Sequence, residues 1–319
     1  MYIQQSNPDK SAGPQGFAVI SRENLKRRGM ITELKVTELK YELIKMHDNE
    51  LIQIARFEPE GPPKGVVQAV HGFGEHIDRY REMADFFTRN EYIFVIHDQR
   101  GFGMMPGKTK KQREAMQGIV PDFRLLLDDV ETIRKRISLW YPDLPVILYG
   151  HSMGGNIAIN CLLKQTQSRY QKLIAESPWL RLYTPLFAST LACARLAAKI
   201  SPKFAIVKKL DPNRIARTDP AAERPAKDEY YHNRISLRLF TQAADAGEYA
   251  IKNAYGISVP TLLMCAEHDK IVCSDAIREF FRNSDKNVAI EEYPGACHSL
   301  HTDIIKNDAL NRMLEFCNE

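Results

Sequence analysis

The sequence predicts an α/β chain: a mostly parallel sheet with helices on both faces and one inserted helical segment. Three observations lead there. Strand-like and helix-like segments alternate along most of its 319 residues. Gly150-His151-Ser152-Met153-Gly154 stands between a strand pattern and a helix pattern. The interval from a strand ending near Glu176 to one starting at Val259 is far longer than a crossover of about a dozen residues, so it holds an insertion.

In order along the chain, residues 1–30 are polar, with Pro8, Gly13 and Pro14, and read as a flexible arm without the apolar core of a signal peptide. Tyr41–Met46 and Leu51–Phe57 flank the polar turn His47-Asp48-Asn49-Glu50 and read as an antiparallel hairpin. Parallel strands are expected near 66–70, 93–97, 146–150, 172–176, 259–265 and 288–293, as short β-branched runs bounded by Gly, Pro or polar residues. Helices fall between them, including Pro121–Ile137 and Asp303–Phe316. The expected organisation is an arm over 1–30, a core of 31–177 and 251–319, and a cap over 178–250.

The pentapeptide carries the chemistry. A serine on a tight strand-to-helix turn is held in a strained conformation, flanked by glycines that keep side chains away, with a helix N-terminus beneath it. Such a hydroxyl is a weak nucleophile without a base, and the base needs an orienting acid. Asp269 follows the strand-like run Val259–Cys265, and His298 follows Val288–Tyr293. Ser152, Asp269 and His298 thus lie just past strand ends, at the sheet edge where open α/β folds bind ligands. His71-Gly72-Phe73-Gly74-Glu75-His76 follows the strand 66–70. The backbone N–H groups of Phe73 and Met153 are the candidates for stabilising an oxyanion.

Here the chain resembles the α/β-hydrolases of the monoacylglycerol lipase and lysophospholipase group, which are serine aminopeptidase-like hydrolases. The likeness rests on the two motifs above together with Asp98-Gln99-Arg100-Gly101-Phe102-Gly103, Tyr141–Pro145, Tyr293-Pro294-Gly295, Asn233–Ser236 and Ile257–Thr261, and runs from about residue 40 onward. It implies an α/β-hydrolase fold with an inserted helical cap. It also implies Ser152 as nucleophile, His298 as base, Asp269 as acid, and Phe73 and Met153 as oxyanion-hole amides. His71, Arg79, Tyr80 and Arg100 then belong to the scaffold of the rim. Met104 stands where the group usually has Ser, and Ser299 where it often has an acid; both bear on the substrate and neither touches the triad.

Composition narrows the classes. No apolar run approaches the ~20 residues that span a bilayer. The six cysteines form no C-x-x-C pair and no zinc spacing, so a reducing, cytoplasmic setting without structural disulfides is expected, and the triad chemistry needs no metal or organic cofactor. Aromatics do not interleave with basic residues as a nucleic-acid platform requires. From Pro178 to Arg217 eight basic residues face one acid, Asp211, beside Trp179, Leu186, Phe187, Leu191, Leu196, Ile200 and Phe204. Two readings of this stretch stay open: a helix packed on the core with solvated lysines, or an acyl-chain pocket under a cationic rim that meets anionic lipid.

The expected activity is hydrolysis of an ester joining a long acyl chain to a small polar alcohol, a monoacylglycerol or lysophospholipid. A small-ester carboxylesterase, a thioesterase, an aminopeptidase-type hydrolase and a non-catalytic ligand-binding protein are the alternatives.

Overall fold

A computed structural model describes residues 38–164, 170–185, 187–207, 211–217 and 228–319; the expected arm over 1–30 lies outside them. An eight-stranded sheet is built from β1 (Glu38–Lys45), β2 (Leu51–Glu58), β3 (Gly65–Val70), β4 (Tyr92–His97), β5 (Val146–His151), β6 (Lys172–Glu176), β9 (Thr261–Ala266) and β10 (Val288–Tyr293). Its order is β1-β2-β4-β3-β5-β6-β9-β10. The β1–β2 hairpin and the β2–β4 pair are antiparallel. Every later pair is parallel.

The continuous apolar runs of β3, β4, β5 and β9 follow from burial on both faces. Within each strand alternate residues enter different cores. Ile93 and Val95 of β4 join one cluster with α3 (Phe123–Trp140), α4 (Met153–Lys164), α6 (Leu237–Lys252) and α7 (Ser274–Arg282). Phe94 and Ile96 join the other, with α1 (Arg81–Arg89) and α8 (Lys306–Asn318). Each fully buried Phe or Ile contributes roughly 1.5–3 kcal/mol to this packing.

The sequence placed the first turn of α3 at Pro121. The helix starts two residues later because the Asp122 carboxylate caps it, accepting the Arg124 N–H at 2.9 Å. The insertion contains α5 (Ala188–Ile200) and a two-stranded antiparallel pair, β7 (Ala205–Val207) with β8 (Arg234–Ser236). Three-residue strands are too short to leave a periodic signal, so only helices were expected there. Helix α6, counted with the cap by the 178–250 boundary, packs on the core. Asn156 and Asn160 of α4 donate to the Ala243 and Ala246 carbonyls at 2.9 and 3.1 Å. Ser236 caps its N-terminus through Leu239 N–H. Among the described residues no helix is long and apolar enough to cross a membrane, and the six cysteines are unpaired.

Candidate active site

Strand β5 delivers Ser152 at its carboxyl end, with a φ of +54°. A non-glycine residue there costs on the order of 1–3 kcal/mol and persists only where its surroundings hold it. Three hydrogen bonds hold this one. Ser152 N–H donates to the Glu176 carbonyl at 2.9 Å, and the Ser152 carbonyl accepts from Trp179 and Asn156 N–H at 2.9 and 3.1 Å. Space explains the flanking glycines. A Cβ on Gly154 would lie 2.1 Å from the Val70 carbonyl, and one on Gly150 would lie 2.4 Å from the Gly154 carbonyl.

Asp269 stands in the turn after β9 and His298 in the loop after β10. Both are buried, and His298 Nδ1 lies 2.7 Å from Asp269 Oδ2. The other oxygen, Oδ1, accepts the N–H groups of Ile271 and Val272 at 2.7 and 2.8 Å. Burial alone would depress the imidazole pKa; the Asp269 carboxylate outweighs it, so His298 sits above its ordinary value. With Nδ1 occupied by the carboxylate, Nε2 is the nitrogen left to accept a proton.

Ser152, His298 and Phe73 line one cavity of about 660 Å³, counting the part open to solvent. Trp179, Leu182, Ile215, Ile235, Phe240 and Val272 make its apolar wall, and Glu75, Arg79, His151 and Ser299 its polar part. Met153 is the first residue of α4, whose first-turn N–H groups lack intrahelical acceptors. Phe73 is wedged by edge contacts with Phe102 and His232, at centroid distances of 5.8 and 6.5 Å. The next residue, Gly74, has φ +80°, and a Cβ there would lie 2.1 Å from the His232 carbonyl.

Beneath this surface lies a buried polar layer; His71, Arg79 and Tyr80 were expected as scaffold of the rim, whereas the Glu75–His151 contact was not. Glu75 Oε2 accepts from Gly72 N–H and Tyr80 hydroxyl, each at 2.6 Å, and lies 3.4 Å from His151 Nδ1. Burial would raise the Glu75 pKa, but the neighbouring imidazoles and Arg79 hold it well below the carboxylate range. His71, fully buried, is pushed down to about 4 by burial and is neutral; its Nε2 accepts Gln99 N–H at 3.0 Å. Arg100 pairs with Asp129 and Asp48 away from the cavity. The insertion grips both of the site's loops. Asp228 bonds His76 Nε2 at 2.9 Å on the Phe73 loop, and Arg217 Nε bonds Asp303 at 3.0 Å beyond His298.

An eight-stranded, mostly parallel sheet with this strand order, a serine on a strained strand-to-helix turn and a histidine–carboxylate pair at the same edge define an α/β-hydrolase. The chain belongs to the family described as serine aminopeptidase, S33, whose model matches residues 61–304, and within it to the monoglyceride lipase group. It is 26% identical over 274 residues, 85% of its length, to an abhydrolase domain-containing protein of Dictyostelium discoideum, of which it spans only 28%. It is 27% identical over 276 residues to monoglyceride lipase of Rattus norvegicus, covering 83% of this chain and 86% of that protein. The crystal structure of Paleococcus ferrophilus monoacylglycerol lipase matches with a TM-score of 0.73 at 26% identity, covering 83% of this chain and 97% of that one.

Proposed function

We propose that the protein hydrolyses carboxylic esters of a long acyl chain with a small polar alcohol, a monoacylglycerol or a lysophospholipid. The observation that carries this reading is the cavity shared by Ser152 and His298: a largely apolar wall that suits an acyl chain, with polar groups on the same lining for the alcohol. The relatives named as monoglyceride and monoacylglycerol lipases support it.

In this mechanism Ser152 Oγ attacks the ester carbonyl as His298 Nε2 takes its proton. Asp269 keeps the imidazole in the tautomer that leaves Nε2 basic and stabilises the imidazolium. The N–H groups of Phe73 and Met153 meet the oxyanion, each donor worth about 3–4 kcal/mol in such sites. His298 then protonates the leaving alcohol, and the same residue activates water to release the fatty acid from the acyl-enzyme.

Residues 178–250 act as the cap over this cavity. Its outer surface carries Phe187, Leu196, Ile200, Phe204 and Val207, exposed beside Lys199 and Lys203. This face meets anionic lipid peripherally, in a cytoplasmic setting. A specificity-constant panel of glycerides, lysophospholipids, thioesters, aminoacyl amides and short esters tests the substrate assignment. A preference for short esters or for amides would displace it.

A further inference from the structure

Two neighbouring strands of the sheet, β6 and β9, end in carboxylates that each hold a histidine of one loop. Asp269, beyond β9, holds His298 Nδ1 at 2.7 Å. Glu176, the last residue of β6, holds His301 Nδ1 at 2.8 Å and is 3.3 Å from the His301 backbone N–H, both through Oε1. Its Oε2 accepts the Tyr149 hydroxyl at 2.6 Å, and its backbone carbonyl accepts Ser152 N–H at 2.9 Å. Glu176 and Tyr149 are 0% exposed and His301 is 5% exposed. The His301 ring is fixed on both sides, stacked on Tyr80 at 5.0 Å and edge-on to His151 at 4.9 Å. One buried residue therefore bonds the backbone of the serine turn and, through its side chain, the loop that carries the base.

We propose that Glu176 is a positioning residue: it sets the distance between Ser152 and His298 by tying the His298–Asp303 loop to the serine turn. The role rests on the reading of Ser152 and His298 given above. The grouping explains why a carboxylate occurs where an isolated buried charge would be costly, since it has an imidazole, a hydroxyl and a backbone donor around it. His151, Glu176 and His301 also bring potential metal-ligand atoms within 4.8 Å of one another. Hydrogen bonds already engage these residues: His301 Nδ1 and Glu176 Oε1 with each other, His151 Nδ1 beside Glu75 and Tyr80, and His151 Nε2 on Ser299 Oγ at 3.3 Å.

The test compares Glu176→Leu, which removes the acceptor at similar volume, with Glu176→Gln, which retains it. Steady-state kinetics on p-nitrophenyl butyrate and labelling by a fluorophosphonate report the site. Low-field imidazole protons in the proton NMR spectrum report the pairs. Glu176→Leu is expected to lose the His301 proton of wild type and keep that of His298. Misplacing the base by an ångström lowers turnover about 100-fold, so Glu176→Leu should lose about 10- to 100-fold in kcat with KM within about twofold. Glu176→Gln should recover most of that loss, a difference that bulk alone would not produce. If Glu176→Leu does not fold, Glu176→Leu with His301→Phe removes both polar partners, keeps the ring on Tyr80, and should show the same kcat loss. Wild-type kcat in folded Glu176→Leu or in the double variant overturns the role, as does Glu176→Gln no better than Glu176→Leu. So does stoichiometric metal in the purified protein that is lost with either partner. A wild type that neither takes the probe nor turns over the ester overturns the reading of the site itself. A labelled, active wild type matched by Glu176→Leu overturns only the role of Glu176.

Discussion

His298 Nδ1 sits 2.7 Å from Asp269 Oδ2, and the second oxygen of that carboxylate is spent on the backbone N–H groups of Ile271 and Val272. The carboxylate is thus oriented by its own turn before it meets the imidazole. Replacing it with an amide should leave the turn partly held while presenting the wrong group to His298. Asp269→Asn is expected to lower kcat by about four orders of magnitude, as in other triads. Asp275, largely exposed and paired with Arg278 at 2.7 Å, provides the contrast: Asp275→Asn should change kcat less than twofold. An exchange of these two outcomes would move the acid to another turn.

Ser152→Ala should abolish fluorophosphonate labelling and lower kcat at least a thousandfold while the far-ultraviolet spectrum stays that of wild type. Peptide mapping of the labelled wild type locates the adduct. An adduct on a different serine contradicts the assignment.

The pH profile carries a sign. In the proposed mechanism only neutral His298 can take the proton from Ser152, and Asp269 lifts its pKa above the ordinary 6.5 against the pull of burial. The acidic limb of kcat/KM on a soluble ester should therefore have its midpoint above 6.5. In Asp269→Asn the residual activity should show that midpoint displaced to lower pH. A limb below 6.5 in wild type would mean that burial outweighs the carboxylate.

Glycine positions separate crowding from open space. Gly154→Ala places a methyl 2.1 Å from the Val70 carbonyl, and β3 and α4 have no room to part. It should cost about 3 kcal/mol or more in urea unfolding. Gly61, where a Cβ would meet nothing within 4 Å, should accept Ala with no measurable change.

For the cap, the expectation is tighter cosedimentation with anionic than with zwitterionic vesicles, weakened by salt. Each basic residue near such a surface adds about 1 kcal/mol, fading within a Debye length. Lys199→Gln and Lys203→Gln, combined with Lys208→Gln and Lys209→Gln at positions outside the described residues, should reduce vesicle binding and activity on aggregated lipid. Activity on a soluble short ester should be unchanged. Equal binding to both vesicle types would remove the membrane contact and leave the hydrolase reading in place.

How much of this was legible in the sequence depends on how local each cause is. The sheet was legible because β3, β4, β5 and β9 are buried on both faces and so read as largely apolar runs, with Gln68 the polar exception inside β3. The serine turn was legible because its close approaches to Val70 and Gly154 exclude every side chain at Gly154 and Gly150. The Glu176–His301 pair was not. Its members lie far apart in the chain, and it takes the pairing of β6 with β9 and of β9 with β10 to bring the carboxylate under the histidine loop. The one available trace was a charged residue closing a strand whose interior, Leu173–Ala175, is apolar, which a solvated strand end produces equally well. The packing of α6 on α4 left little trace for a related reason: the residues that meet Asn156 and Asn160 are Ala243 and Ala246, too small to announce burial.

Strands β6 and β9 are hydrogen-bonded neighbours, although the whole insertion and α6 separate them in the chain. The polypeptide leaves the sheet and re-enters it one strand spacing away, about 4.8 Å. Closing that loop costs an entropy that grows only with the logarithm of its length. At roughly seven times the dozen residues of an ordinary crossover, the excess is about 2 kcal/mol. A lineage can therefore lengthen, shorten or exchange everything between these two strands at small thermodynamic expense, while the edge that holds Ser152, Asp269 and His298 is inherited intact. Substrate preference can drift in such a protein faster than its chemistry.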